Sequence, residues 1–326
     1  MTVNSKAVVA ILFILVQWAF SLSAAGAADF GIENGQVVVD QAGRRIVVKK
    51  PFSRIISLYG AHTENLFSLG AGDGLIGVAP NEDYPPEAGR KPVFSYHDDP
   101  EKFLAAKPDL VLTRPMIDRG YPQFVQRLEK SGITVVSLQP GTVEEMLVYW
   151  QILGILTGRR EPAAAMAARF KAAVSELGAL TASVSPKKRV YFEAIHAKMK
   201  TFAPDAMAVF ALEAAGGVNV ARDAAPVRDT NIAAYGKERI LAHASEIDVF
   251  LAQSGTMNQP TLELIKAESG FHAIRAVKTN QVYIIDERLV SRPTMRLLDG
   301  IFEIGRILYP DDFTEKARDI ITRAKQ

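Results

Sequence analysis

The chain has 326 residues and no cysteine, and its 38 Lys and Arg against 36 Asp and Glu give a formal net charge of +2. The absence of cysteine excludes a disulfide framework, a thiolate metal site, a cysteine nucleophile and a lipid-modified cysteine. The near-neutral charge argues against nucleic acid as a partner. The length favours two domains.

The first 27 residues have the pattern of a secretory signal peptide. Lys6 supplies a positive charge, residues 7–20 are almost wholly apolar, and Ala25-Gly26-Ala27 fits a cleavage site. The apolar run is shorter than the about 20 residues that a membrane-spanning helix needs. We therefore predict cleavage after Ala27 and a mature protein that is soluble in the periplasm. An uncleaved anchor helix is the alternative.

The first half of the remaining chain predicts a hairpin followed by alternating strands and helices. Two runs of β-branched residues, 37–39 and 46–48, flank a turn that contains Gly43. The predicted strands that follow are 54–58, 75–78, 109–113 and 134–138. The predicted helices are 63–69, 100–106, 121–131 and 143–156. This alternation is typical of a mostly parallel sheet with helical crossovers.

A long helix is predicted over residues 161–184. Pro162 suits the first turn of a helix, and Pro186 follows the end of the run. A helix of this length spans about 36 Å, enough to run along a whole lobe. A plain surface helix is the alternative interpretation of the same pattern.

Strand–helix alternation resumes after Pro186. The predicted strands are 189–193, 248–252 and 281–285. The predicted helices are 205–215, 237–243, 261–266 and 294–308. The segment 238–251 also echoes 101–112, because in each a helix that opens with Glu leads to a strand preceded by Asp. This weak internal repeat favours two similar lobes.

Motifs of catalysis and nucleotide binding are not supported by their context. Residues 72–77 match G-x-G-x-x-G, but they follow a predicted helix and lead into a predicted strand, which is the reverse of the order in a dinucleotide site. The chain has no phosphate-binding P-loop, G-x-S-x-G elbow or H-E-x-x-H pair. We therefore predict a binding protein and not an enzyme.

Several segments together resemble the periplasmic substrate-binding proteins of ABC importers that carry iron–siderophore, haem or cobalamin. The segments are RIISL at 54–58, TENLFSLGAGD at 63–73, LIGV at 75–78, YPPEA at 84–88, LAAKPDLV at 104–111, GGVNV at 216–220 and the helix around Glu238. The resemblance covers about residues 36–310. One departure is Tyr59-Gly60-Ala61-His62, where the family usually has a Ser-Pro-Ser-like stretch.

The resemblance implies an α/β protein with two Rossmann-like lobes, 28–158 and 186–326, joined by a single long rigid helix at 159–185. A metal chelate that contains iron or cobalt would occupy the cleft between the lobes, with no resident cofactor. The partners would be an inner-membrane permease and its ATPase, and the protein would be a monomer. Cobalamin or haem in the same role, an exported sensor, and a metal-dependent enzyme on this fold remain alternatives.

Ligand-binding residues are expected beyond the carboxyl ends of the strands and in the neighbouring loops. The candidates are Tyr59, His62, Tyr96, His97, Arg114, Glu193, His196, Arg228, Tyr235 and Arg292. Histidine and tyrosine are suitable iron ligands, and arginine suits the carboxylates of a siderophore or haem. The metal-ligand candidates are His62, His97 and His196. Ordinary hydrogen-bonded loop residues, surface charges and rim tyrosines are the corresponding alternatives.

Glu101 and Glu238 occupy positions where, by the same resemblance, one acidic residue on each lobe docks against arginines of the permease. Both residues lie in the predicted first turn of a helix. A carboxylate there also offsets the helix dipole by about 0.3–1 kcal/mol. A purely stabilising role is therefore the alternative.

Overall fold

The computed structural model of the protein describes residues 30–227, 230–256 and 258–326. The predicted signal peptide, its cleavage site and Arg228 lie outside these residues. Within the described ranges, no helix has the length and apolar character needed to cross a membrane.

The chain begins with the predicted hairpin, now part of a three-stranded antiparallel sheet: β1 Gly31–Glu33, β2 Val37–Val39 and β3 Arg45–Val47. The turn between β2 and β3 is closed by Asp40, whose carboxylate accepts hydrogen bonds from the backbone N–H groups of Ala42 and Arg44. The same carboxylate accepts a bond from Ser137 N–H at 2.9 Å. Asp40 therefore attaches the small sheet to the larger one behind it.

The first lobe is built on a four-stranded sheet whose neighbouring strands are all parallel, in the order β5-β4-β6-β7. The strands are β4 Ile55–Ser57, β5 Leu75–Gly77, β6 Leu110–Thr113 and β7 Thr134–Ser137. The helices are α1 Gly60–Ser68, α2 Pro100–Ala106, α3 Pro115–Gly120, α4 Pro122–Lys130 and α5 Val143–Thr157. All four residues of β6 are buried, as expected for a parallel strand covered on both faces.

The first two glycines of the G-x-G-x-x-G match form a 3₁₀ turn, Gly72–Gly74, that leads into β5, and the third, Gly77, ends that strand. No helix follows them directly. The order is therefore helix, turn, strand, and the prediction that these are turn glycines is confirmed.

The predicted long helix is α6, Arg160–Leu180, which ends four residues earlier than expected. Its inward face includes Met166, Phe170 and Leu177, and the Phe170 ring meets the fully buried Trp150 edge to face at 5.5 Å. The helix packs on α5 of the first lobe and on helices that follow the second sheet. Its position suits the predicted connector, and the lobe boundaries remain predictions.

The second lobe contains a seven-stranded mixed sheet in the order β11-β12-β9-β8-β13-β14, with β10 also paired to β8. The strands are β8 Arg189–Ile195, β9 Lys200–Phe202, β10 Val218–Asn219, β11 Ala225–Pro226, β12 Ile232–Ala234, β13 Val249–Ser254 and β14 Val282–Asp286. The helices are α7 Met207–Ala214, α8 Lys237–Ala242, α9 Leu262–Ala267, α10 Arg275–Lys278, α11 Glu287–Val290, α12 Leu297–Leu308 and α13 Glu315–Lys325. The strands β8, β13 and β14 are parallel neighbours, as predicted.

The two lobes are joined by polar contacts between the segment after α11 and the helices of the first lobe. Asn65 and Trp150 both donate hydrogen bonds to the carbonyl of Pro293, at 2.8 and 3.2 Å. Next to it, Arg292 forms an ion pair with the buried Glu64 at 2.9 Å. Because α1 starts where β4 ends and α11 starts where β14 ends, these contacts bring the carboxyl edges of both sheets together. We refer to the space along these edges as the cleft.

Candidate functional site

The first-lobe side of the cleft presents a guanidinium group stacked on a tyrosine ring. Tyr59 follows β4 in extended conformation, and Arg114 follows β6. The Arg114 guanidinium carbon lies 4.7 Å from the centre of the Tyr59 ring, within the range of a cation–π contact. Among the described residues Arg114 has no carboxylate partner; its Nη2 contacts only the sulfur of Met116 at 3.1 Å, and its buried Nε has no hydrogen-bond partner.

Two ionisable side chains, one from each lobe, lie beside Tyr59. The side chain of Glu82 is 6% exposed, and one of its oxygens is 3.9 Å from Nη1 of Arg292. Burial raises the pKa of Glu82 to about 7. A side chain at position 60 would collide with both Glu82 and Arg292, so glycine permits their approach.

His62 is not a cleft residue, and the prediction that it faces the ligand is wrong. Its ring is fully buried, with Nε2–H donating to the carbonyl of Thr113 at 2.9 Å and Nδ1 accepting from the hydroxyl of Tyr149 at 2.7 Å. Burial lowers the pKa of His62 to about 4, so the ring is neutral at pH 7. The physical reason is that α1 begins at Gly60 rather than at residue 63, which places His62 in the first turn on the inward face.

His196 lies at the carboxyl end of β8 and is bonded through one nitrogen. Its Nδ1 is 3.0 and 3.1 Å from the two carboxylate oxygens of Glu193, which is fully buried. Its Nε2 is buried without a hydrogen-bond partner, and Glu268 Oε2 is 4.0 Å away. Hydrogen bonding to Glu193 raises the pKa of His196, and burial raises the pKa of Glu193.

A short chain of contacts connects His196 to the Tyr59 side of the cleft. The backbone N–H of His196 donates to the Asn258 side chain at 3.0 Å, and Asn258 pairs with Gly255 through the backbone. Glu287 packs against Gly255 so closely that a Cβ there would collide with it. The charge of Glu287 in turn acts on the pKa of Tyr59, which burial raises. Side chains from the strand ends of both lobes therefore lie along the same side of the cleft.

Tyr96 and His97 form a separate aromatic patch on the first lobe together with Tyr121. The ring centres are 4.3 Å apart for Tyr96 and His97 and 4.8 Å apart for Tyr96 and Tyr121. His97 is exposed. Tyr96 and Met116 pack on the same apolar cluster, which places the patch on the Arg114 side of the lobe. Within the described ranges, no hydrogen bond, ion pair or ring contact joins the patch to Tyr59.

Tyr235 belongs to the core of the second lobe, and the prediction that it lines the cleft is wrong. Its side chain is 6% exposed and its ring lies 5.8 Å from that of Tyr191. The guanidinium carbon of Arg239 lies 4.2 Å from the centre of the Tyr235 ring. The short strand β12 pairs with β9. Because Tyr235 directly follows β12, this pairing places its side chain in the interior.

Glu101 and Glu238 are both exposed in the first turn of a helix, α2 and α8 respectively, as predicted. They differ in their partners. Glu101 forms an ion pair with Arg127 at 2.5 Å, whereas Glu238 has no ion-pair partner among the residues that the structure describes. Both carboxylates are therefore accessible at the surface, one on each lobe.

Metal ligands do not converge in this structure. In the described part of the chain, no three His, Asp or Glu side chains form a group able to hold a metal ion. A shallow concavity of about 700 Å³ lies elsewhere, at the amino ends of β8, β13 and β14, with Lys188, Asp248 and Gln281 in its lining. Parallel α/β sheets bind ligands at their carboxyl ends, so we place the candidate site in the cleft.

Comparisons with known proteins agree with this architecture. The sequence profile described as periplasmic binding protein matches residues 55–289, and the chain belongs to this family. It is 27% identical over 285 residues to an uncharacterised ABC-transporter substrate-binding lipoprotein of Bacillus subtilis, covering 86% of this chain and 87% of the relative. It is also 27% identical over 263 residues to a vitamin B12-binding protein of Vibrio cholerae, covering 79% of this chain and 90% of that protein.

Among solved structures, a possible iron-binding, periplasmic solute-binding protein of Staphylococcus epidermidis superimposes with a TM-score of 0.70 and 26% identity. The match covers 80% of this chain and all of the other. The structural relatives are two-lobed, and the predicted two-lobed α/β fold is confirmed. The resemblance to substrate-binding proteins of ABC importers is likewise confirmed.

Proposed function

We propose that this protein is the periplasmic substrate-binding component of an ABC importer and that it carries an anionic metal chelate, such as an iron–siderophore, in the cleft. The observation that carries the proposal is the Arg114 guanidinium, which is stacked on Tyr59 and has no carboxylate partner among the described residues. A partly buried cation is costly to hold without a counter-charge. The bound ligand would supply that charge.

Arginine fits this task because its planar fork of donors matches a carboxylate or phosphate oxygen pair. The Nε of Arg114 is one of those donors and has no hydrogen-bond partner in the structure. The Tyr59 ring lies against the guanidinium and holds it by a cation–π contact. Arg292 differs, because Glu64 already neutralises it. We therefore assign anion recognition to Arg114 and lobe contact to Arg292.

Cobalamin or haem is the alternative cargo in the same role, since the former carries a phosphodiester and the latter two propionates. The relative named as vitamin B12-binding and the structure named as possibly iron-binding support this range of cargoes. All of these ligands present an anion to Arg114. In every case the protein binds and releases the cargo without converting it.

Delivery requires a membrane partner, and we propose a permease with its ATPase, as for ABC importers generally. Glu101 and Glu238 supply one exposed acidic group on each lobe, which suits contact with basic groups of the permease. Such surface charges act mainly on the rate and orientation of encounter. The protein would act as a monomer in solution.

The proposal is tested by equilibrium titration of the purified protein with ferric citrate, ferric haem and cyanocobalamin. We expect one of them to bind with high affinity and Arg114→Gln to weaken it by about 10- to 100-fold, because a charge-assisted hydrogen bond contributes about 1.5–3 kcal/mol. Arg318→Gln, at an exposed arginine on α13, is the matched control and should bind like the wild type. Equal affinity of Arg114→Gln and the wild type would remove Arg114 from the site.

A further inference from the structure

His196 is a buried histidine whose hydrogen bonding is incomplete. A carboxylate oxygen of Glu193 lies 3.0 Å from Nδ1 of the ring. When ionised, this carboxylate is acceptor-only, so the proton of the neutral imidazole resides on Nδ1. The lone pair is then on Nε2, which has no hydrogen-bond partner. Buried polar atoms in native proteins are nearly always paired, so an unpaired one needs an explanation.

The pairing of His196 with Glu193 is the arrangement that prepares a histidine for a metal. Metal-binding histidines usually donate their second ring N–H to a carboxylate, which fixes the tautomer and raises the basicity of the other nitrogen. In this protein the carboxylate is fully buried and both its oxygens lie within 3.1 Å of Nδ1. The ring is therefore held in one orientation before any ligand binds.

The Nε2 atom is covered by surface side chains. Glu268 Oε2 lies 4.0 Å from it, and Glu268 is paired with Lys237. Both side chains are partly exposed, at 23% and 33% respectively. Exposed ion pairs are weak, typically about 0–1 kcal/mol, so the cover can be displaced at small cost. Lys237 is the first residue of α8.

We propose that Nε2 of His196 coordinates the metal of the bound chelate directly, with Glu193 as a positioning residue. The cargo must then carry a metal with an open or exchangeable coordination position, which excludes fully saturated chelates as preferred ligands. The step is a ligand substitution: a proton on Nε2, where present, passes to solvent, the Nε2 lone pair forms the new bond, a metal-bound water leaves, and the Nδ1 proton stays hydrogen-bonded to Glu193. This inference rests on the proposed function and narrows its substrate class.

A site for a bare metal ion is less consistent with the structure. Within the described ranges, the carboxylate nearest to Nε2 is that of Glu268, and no third ligand converges with them. Two protein ligands leave most of a metal's coordination sphere empty, whereas a chelate brings its own donors. One protein nitrogen is then sufficient to complete the sphere.

The test uses pairs of probes that share one chelate and differ in whether a coordination position holds exchangeable water or cyanide: aquocobalamin against cyanocobalamin, and ferric haem against its dicyano complex. For the wild type we expect one probe with exchangeable water to bind more tightly than its cyanide-blocked form, with a shift of its absorption bands. In His196→Gln the shift should vanish and both forms should bind alike. Glu193→Gln should keep the shift but lose about 10-fold in affinity. His272→Gln, at an exposed histidine, is the control.

The outcomes separate this inference from the proposed function. If blocked and open probes bind the wild type equally and without a spectral shift, the coordination by His196 is overturned while chelate binding stands. A shift that persists in His196→Gln overturns the coordination in the same way. If no chelate binds the wild type at all, the proposed function fails and this inference fails with it. Melting curves of each variant, measured in parallel, identify any loss of binding that comes from misfolding.

Discussion

His62 and His196 occupy similar positions in the two lobes, just beyond the carboxyl end of an inner strand of each parallel sheet. Both rings are buried, at 0% and 4% exposure. They differ in hydrogen bonding, because both nitrogens of His62 are paired and only one of His196 is. Burial alone therefore does not distinguish a structural histidine from a ligand. The unpaired nitrogen, together with the carboxylate behind it, is the difference on which we propose His196, and not His62, as the binding residue.

The largest expected effect on stability separates these two histidines. His62→Ala removes the ring that bonds both the Thr113 carbonyl and the Tyr149 hydroxyl, leaves a cavity in the core and should lower the free energy of unfolding by about 3–5 kcal/mol. His196→Asn should cost less, about 1–3 kcal/mol, because the Asn amide keeps a donor for the buried Glu193 carboxylate. Denaturant unfolding of both variants measures the difference. Equal losses would contradict the division into a structural and a binding histidine.

The pH dependence of unfolding provides the control for His62. Its folded pKa of about 4 lies below the value of about 6.5 in an unfolded chain, so its contribution to stability is full above pH 6.5. As the pH falls towards 4, the unfolded state binds a proton that the folded state does not, and about 3 kcal/mol is lost. This part of the acid destabilisation should disappear in His62→Ala.

A second comparison concerns the two proposed docking residues. Reversing both charges, Glu101→Lys with Glu238→Lys, should reduce uptake by cells at least about 10-fold while ligand affinity of the isolated protein stays unchanged. The Glu238 change alone should have the larger effect, because Glu101 is already engaged by Arg127. The matched control reverses Glu303 and Glu315, which are exposed on α12 and α13.

The defect should also depend on ionic strength, since salt screens surface charges beyond about 8–10 Å. If the two glutamates only stabilise their helices, the double variant would melt at a lower temperature and still support normal uptake. That result would end the docking proposal without affecting the ligand site.

The order of strands and helices was predictable from the sequence wherever an apolar run was long enough to show the residue spacing of a strand or a helix. The parallel strands β4 to β8, β13 and β14 were all predicted, within about two residues at their ends. The strands β1 and β9 to β12 were not, because their pairing depends on tertiary contacts. The short helices α3, α10 and α11 and the 11-residue helix α13 were also missed.

The candidate site was predictable in position but not in side-chain direction. The rule that ligands bind at the carboxyl ends of strands located Tyr59, Arg114 and His196. It does not say whether a residue faces the cleft or the core, and a helix that starts three residues early turned His62 inward. Glu82 was missed because it lies in an irregular loop after β5, where no period marks it, although the same rule applies to that strand.

The central claim is that the cleft carries a metal chelate, and the protein purified from the cells that produce it tests this most directly. We predict that its absorption spectrum shows a ligand-to-metal, Soret or corrinoid band, and that about one metal atom per chain is released together with an organic ligand on denaturation. Protein that instead releases one equivalent of a metal-free sugar, amino acid or peptide, with no visible absorption, would contradict the account.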